Sequence, residues 1–214
     1  MAAGRRPFAP SGSTNAGAPR AAPLRTGREN MTVREIMALA AELCGRKDLA
    51  EFLEGGACAD FQAAAREEET LLRCYNLAEN EIALDYLPIR RQEEAVSDGE
   101  IAYAELSKPI LEIFSVRDAD GEKLPYRAGE QGIRVRPGKA VVDYSYRPRV
   151  KRAGDEPEAN GRADARVLAL GTACEFALMN GMTETAVLLD KRYRDALACA
   201  CRERGGRLKL RRWA

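Results

Sequence analysis

The sequence predicts an α+β protein: a helical bundle of four to five helices with a small antiparallel β-sandwich or barrel inserted between the third and fourth helices. Three observations carry this. Apolar residues recur at helical spacing between 31 and 88. Residues 89–147 then break into short runs of β-branched and aromatic residues separated by turn signals. Helical spacing returns after about residue 160. With 214 residues and 45% hydrophobic content, the chain can bury the core of one medium or two small domains. The expected organisation is a disordered extension over 1–30, a helical bundle from 31–88 and 160–204, a β subdomain over 89–150 and an extended tail over 205–214.

The first thirty residues are rich in Ala, Gly, Pro and Arg and offer almost nothing to bury, so disorder is expected. They lack the apolar stretch of a secretory signal. Their Arg and Ser resemble a transit peptide, but four prolines oppose an amphipathic helix, and a start at Met31 is the simpler expectation. Folding should begin at MTVREIMALAAELCG. There Thr32 and Glu35 form a capping box, Val33, Ile36, Met37, Ala40 and Leu43/Cys44 form a stripe, and Gly45 is the stop. A short helix follows over Lys47–Leu53, ended by Gly55 and Gly56. The third helix should run from about Asp60 to Leu87, with Phe61, Ala65, Leu72, Tyr75, Ala78, Ile82 and Tyr86 on one stripe and Pro88 as its end.

In the β region, IAYAEL, ILEIFSV, KLPYRAG, GIRVR and AVVDYSY read as strands, with turns at DADG and Pro137-Gly138. The glycines of EAVSDGE and RAGEQGIRVRPG have no phosphate-loop spacing and read as hairpin turns. After the polar loop 150–161, a helix begins near Ala163 and stops at Asn180-Gly181. Thr183 is the expected cap of the last helix, whose stripe is Ala186, Leu189, Tyr193, Leu197 and Ala200.

Charge is balanced overall, 34 basic against 33 acidic residues, but unevenly placed. Five Arg fall in 1–30 and six basic residues in 202–214, leaving an acidic middle. This balance argues against a dedicated nucleic-acid binder. The six cysteines form no CxxC pair, and Cys74, Cys174 and Cys201 sit in apolar helical patterns, so reduced, buried thiols are expected. With no histidine in the chain, Ser–His and Cys–His catalysis within one chain is excluded, and zinc spacing is missing. No catalytic, cofactor-binding or metal-binding residue is assigned, and no enzymatic activity is expected. No apolar run approaches the roughly 18–20 residues of a membrane span.

Three segments invite a functional reading. In LLRCYNLAENEIALDYLP, Asn76 and Asn80 share a helix face. They suit a metal or substrate surface, or more simply amide hydrogen bonds at a helix or subunit contact. The helix ALGTACEFALMNG is apolar on several sides, Phe176 included, which points to burial on several sides and to partners. The chain closes on GGRLKLRRWA, which contains its sole Trp. As a DNA tail this is short, and as a membrane anchor it lacks a long apolar face. As a docking arm it fits: Gly205-Gly206 free it, and Trp and Arg are enriched at interface hot spots. The candidate docking residues are Arg207, Leu208, Lys209, Leu210, Arg211, Arg212 and Trp213.

The TVREIM start, the long helix ending EIALDYLP, the β insertion, the final helices from ALGTACEFALMNG to DKRYRDAL and the closing RRW resemble the small head–tail connector (adaptor, neck) proteins of tailed bacteriophages and prophages. The resemblance covers about residues 31–214. It implies a structural, non-enzymatic virion protein of the neck, assembled in the bacterial host cytoplasm. About a dozen copies would form a ring on the portal protein, touching other neck or tail proteins. Genomic DNA would pass through the channel without sequence-specific binding, and no membrane is involved. The segment Arg207–Trp213 would dock on the portal. An acidic middle suits a channel wall that does not hold DNA. The extension 1–30 departs from the family pattern. The alternative is a small nucleic-acid-binding regulatory protein using its basic termini; a carboxylate enzyme on the long helix is the third reading.

Overall fold

The computed structural model describes residues 31–202. Helix α1 (Val33–Leu43) opens on the capping box. The Thr32 hydroxyl accepts from the Glu35 N–H at 3.3 Å, and the Glu35 carboxylate accepts from the Thr32 N–H at 2.6 Å. The Val33 and Arg34 amides donate to the carbonyls of Asp155 (2.9 Å) and Ala153 (2.8 Å). The loop after the β region therefore closes over a helix end whose amides have no intrahelical partner. Val33, Ile36, Met37 and Ala40 are buried, and Gly45 ends the helix with φ 76°, where a side chain would be strained. Helix α2 (Lys47–Leu53) ends at Gly55.

Helix α3 (Phe61–Glu81) is shorter than expected. Asp60 caps it, accepting from the Ala63 N–H at 3.0 Å. Past Glu81 the chain widens into a π-helical turn, Ile82–Tyr86, and the Leu87 N–H donates back to the Ile82 carbonyl at 2.7 Å. Pro88 forces this exit, because it disfavours helical geometry at Leu87. The stripe also differs from expectation. Leu71, Cys74, Tyr75, Ala78 and Ile82 are buried, whereas Phe61 and Tyr86 are exposed and Leu72 is half-buried. The neighbouring helices cover the side centred on 71, 75 and 78, and the two aromatics at the ends project past that cover.

Six strands follow: β1 (Ile89–Ser97), β2 (Glu100–Ala102), β3 (Ile110–Asp118), β4 (Tyr126–Ala128), β5 (Gly132–Val135) and β6 (Gly138–Tyr146). They form two three-stranded antiparallel sheets, ordered β1-β6-β3 and β2-β5-β4. Ile101, Val116, Leu124, Ile133, Val142 and Tyr144 fill a common core. This is the small antiparallel insertion between α3 and the fourth helix. Strand β1 has no expected counterpart, since IRRQEEAVS carries no apolar alternation. It is held instead by continuous pairing with β6, from Ile89 opposite Tyr146 to Ser97 opposite Gly138. The IAYAEL strand shrinks to β2, because Tyr103–Glu105 turn into a short 3₁₀ helix.

Helix α4 (Ala165–Met179) starts at Asp164, which accepts from the Val167 N–H at 3.0 Å. It packs against α1, α3 and the last helix, α5 (Thr183–Cys201). Phe176 is fully buried, so the several-sided apolar character of α4 is met inside its own chain. Leu178 and Met179, at its C-terminal end, are the exceptions. Gly171 lets α3 and α5 close on α4: a Cβ there would stand 2.9 Å from the Tyr193 ring and 3.1 Å from the Ala78 methyl. Asn180 and Gly181 (φ 69°) end α4 as expected. Thr183 does not cap α5. Met182 holds that position with no side-chain bond, and the Thr183 hydroxyl turns back to the Gly181 carbonyl at 3.5 Å.

Candidate functional site

The docking residues Arg207, Leu208, Lys209, Leu210, Arg211, Arg212 and Trp213 lie outside the described residues, as do the extension 1–30 and the Gly205-Gly206 hinge. Three other places in the described structure bring polar or apolar side chains together in ways that bear on function.

The first is the junction of bundle and β insertion. Asn76 projects from α3 onto the backbone of Lys151: its Oδ1 accepts from the Lys151 N–H at 2.6 Å, and its Nδ2 donates to the Lys151 carbonyl at 3.2 Å. Asn80 Nδ2 donates to the Asn76 carbonyl at 2.7 Å. Asn76 thus clamps a loop of its own chain, while Asn80 bonds back along α3 and its Oδ1 is buried without a partner among the described residues. Glu79 and Lys151, missed in the sequence, sit deeper. Glu79 accepts from the Tyr75 hydroxyl at 3.0 Å and from the Glu158 N–H at 2.7 Å, while its Oε2 is buried without a partner among the described residues. Burial raises its pKa above the usual carboxylate range, against the pull of those two donors. The signal was present: Tyr75, Glu79 and Ile82 share the buried spacing of i, i+4 and i+7. Lys151, 3% exposed, donates to Glu158 at 3.0 Å, and Lys108 donates to the other Glu158 oxygen at 2.8 Å. Burial alone would lift the Glu158 pKa, but the two ammonium groups outweigh it and hold it at about 2. One carboxylate therefore ties the turn before β3 to the loop after β6, and its backbone ties both to α3.

Within the sheet, Glu93 accepts from Ser107, Arg91 and Tyr144. These donors overcome burial and hold its pKa at about 2. Asp143, buried on β6, pairs with Arg90, whose guanidinium also lies 4.2 Å from the Phe114 ring centre. Both clusters fasten strands.

The second place is a hollow beside α4 and α5 lined by Arg162, Arg166 and Arg192 together with Asp164 and Asp195. None of the three guanidinium groups has a carboxylate within ion-pair distance among the described residues.

The third is the side of the bundle where α3 and α5 flank α4. Leu77 (56% exposed), Leu178 (56%) and Val187 (64%) are open there. Glu81, Asp85, Glu175 and Asp190 lie among them. Burial and then the neighbouring Glu175, Asp85 and Asp190 raise the Glu81 pKa, although the Tyr193 hydroxyl donates to it at 3.1 Å.

The cysteines are free thiols. Burial pushes Cys44, Cys74 and Cys174 up to about 11, which keeps them protonated and poorly nucleophilic at neutral pH. Cys201, expected to be buried, is only half-buried because it lies on the last turn of α5. Among the described residues no group of three or more Cys, Asp or Glu is placed to hold a metal ion, and no helix is long and apolar enough to cross a membrane.

Comparison with known proteins finds no family model that matches this chain and no curated protein similar to it in sequence.

Proposed function

We propose that the protein is a structural component of a tailed-phage neck, a ring-forming connector that sits on the portal and carries the tail-side proteins. The observation that supports it best is the architecture. Helices, an inserted antiparallel β unit and two closing helices follow one another in the order the resemblance implies, and the bundle ends in α5, directly before the Trp- and Arg-bearing segment. The junction latch is consistent with this role. A ring that carries mechanical load between two assemblies needs its subdomains fixed to each other, and the Glu79–Glu158–Lys151–Lys108 network does so at buried positions. In this reading the neck of the virion is its place, genomic DNA passes without being read, and Arg207–Trp213 contact the portal.

The test is assembly. The full chain mixed with its cognate portal should give a ring-on-ring complex by native mass spectrometry. A chain truncated after Gly206 should keep its circular dichroism spectrum and lose the complex. Unchanged assembly of the truncated chain would remove the role given to the tail.

The arginine hollow favours a second reading, a nucleic-acid-binding regulatory protein. Arg162, Arg166 and Arg192, which have no ion-pair partner among the described residues, share this hollow with Asp164 and Asp195 on the side that also carries the end of α5. Such binding weakens steeply with salt. A mobility shift at low salt that disappears in Arg166→Glu/Arg192→Glu would support it, and no shift at low salt would dismiss it.

A further inference from the structure

We infer that the face formed by α3, α4 and α5 is the seat of the chain's own C-terminal segment, Arg207–Trp213, bound in cis through its basic and apolar residues. This goes beyond the neck reading and does not depend on it.

The face is defined by packing. Helices α3 and α5 both lie against α4 and meet each other mainly at one end, where the Tyr193 hydroxyl reaches Glu81 and the Cys201 thiol reaches the Tyr86 carbonyl at 3.9 Å. Toward the C-terminal end of α4 the two helices leave its outer side open. Leu77 on α3, Leu178 on α4 and Val187 on α5 are all more than half exposed there, although each sits beside the buried stripe of its helix. Among these apolar residues stand four carboxylates. Asp190 already pairs with Arg194 at 2.9 Å, but Glu81, Asp85 and Glu175 have no cation within ion-pair distance among the described residues. Their closeness is felt: Glu175 and Asp190 both raise the Glu81 and Cys174 pKa values, secondary to burial. The face therefore has unsatisfied negative charge interleaved with exposed aliphatic side chains.

The segment RLKLRRW is its complement. It carries Arg207, Lys209, Arg211 and Arg212 against the carboxylates, and Leu208, Leu210 and Trp213 against the aliphatic residues. Reach permits the match. The face runs up α5 from Cys201 to Val187, roughly 21 Å at 1.5 Å per residue. Seven extended residues span roughly 23 Å. Arg202 is the C-cap of α5, and two glycines, residues that turn readily, precede Arg207 in the sequence. Binding in cis also makes the local concentration of the segment high without a second molecule.

Trp213, the chain's sole tryptophan, reports on this directly. In the full-length protein its emission should be blue-shifted, and acrylamide should quench it several-fold less than it quenches a synthetic peptide of residues 203–214. Glu175→Lys should raise quenching to the peptide's level. Arg211→Glu/Arg212→Glu, which alters only the tail, should do the same without touching the bundle. Combining the two reversals should restore part of the protection. Emission and quenching should not change with protein concentration. A wild-type Trp213 that quenches like the free peptide overturns the inference, as does protection that survives both reversals. Protection that grows with concentration also overturns it, because the segment would then lie on a second copy. None of these outcomes bears on portal assembly, so failure here and failure of the neck reading are separable.

Discussion

Glu158 concentrates the residue-scale logic of this protein. It has two buried or half-buried ammonium partners, Lys151 and Lys108, and its backbone N–H serves Glu79. Its folded pKa of about 2 lies below the ordinary 4.5, so its stabilising contribution is complete above about pH 4.5 and is lost as the pH falls toward 2. Glu158→Gln should therefore flatten acid unfolding in that window, as read by circular dichroism across a pH titration. Lys151→Met leaves Glu158 with one cation and should cost about 2 kcal/mol at neutral pH in urea unfolding. Glu79 has the opposite sign. Its raised pKa means that the folded state holds its proton longer than the unfolded chain, so its charge opposes folding as the pH rises. Glu79→Gln should be at least as stable as wild type at pH 8, with its advantage shrinking as the pH falls. Asn76 and Asn80 were legible because polar residues stood out in an apolar helix. Glu79 had only its i, i+4, i+7 spacing with Tyr75 and Ile82 to mark it and Lys151 had nothing, since a charge in a sequence reads as solvated until a partner from a distant loop is seen to cover it.

At the scale of elements, small residues and caps set the geometry. Gly171 is the close-approach point of α3, α4 and α5, where a methyl would meet both the Tyr193 ring and Ala78. Gly171→Ala should cost about 1–3 kcal/mol by overpacking and should loosen Tyr193 from Glu81, measurable as a lower urea midpoint and a shifted tyrosine near-ultraviolet signal. Several caps and stops decided by local chemistry were readable from sequence, Thr32 with Glu35, Gly45 and Gly181, whereas the Thr183 cap was misread and the Asp164 cap was not read. Elements decided by tertiary contact were not readable. Strand β1 looks like a charged loop until β6 pairs with it along its whole length and Asp143 pairs Arg90. The α3 exit reads as continuous α-helix, because nothing in IALDYLP marks the widening to a π-helical turn over Ile82–Tyr86.

For the whole molecule, the order of bundle, insertion and closing helices was legible because the hydrophobic period changes from helical to strand-like and back. What the exposed face binds was not, since unsatisfied charge beside open leucines arises only when α3, α4 and α5 are assembled. The two proposals meet in the C-terminal segment. If both proposals hold, the segment held against the bundle in the free protein is the arm that the portal would displace and engage during assembly. The most direct test is native mass spectrometry of the full chain with its cognate portal. The account predicts one ring of this protein, about a dozen copies, on each portal ring, lost when Arg211 and Arg212 are both replaced by Glu. A portal that remains bare at saturating concentrations of a folded protein contradicts it.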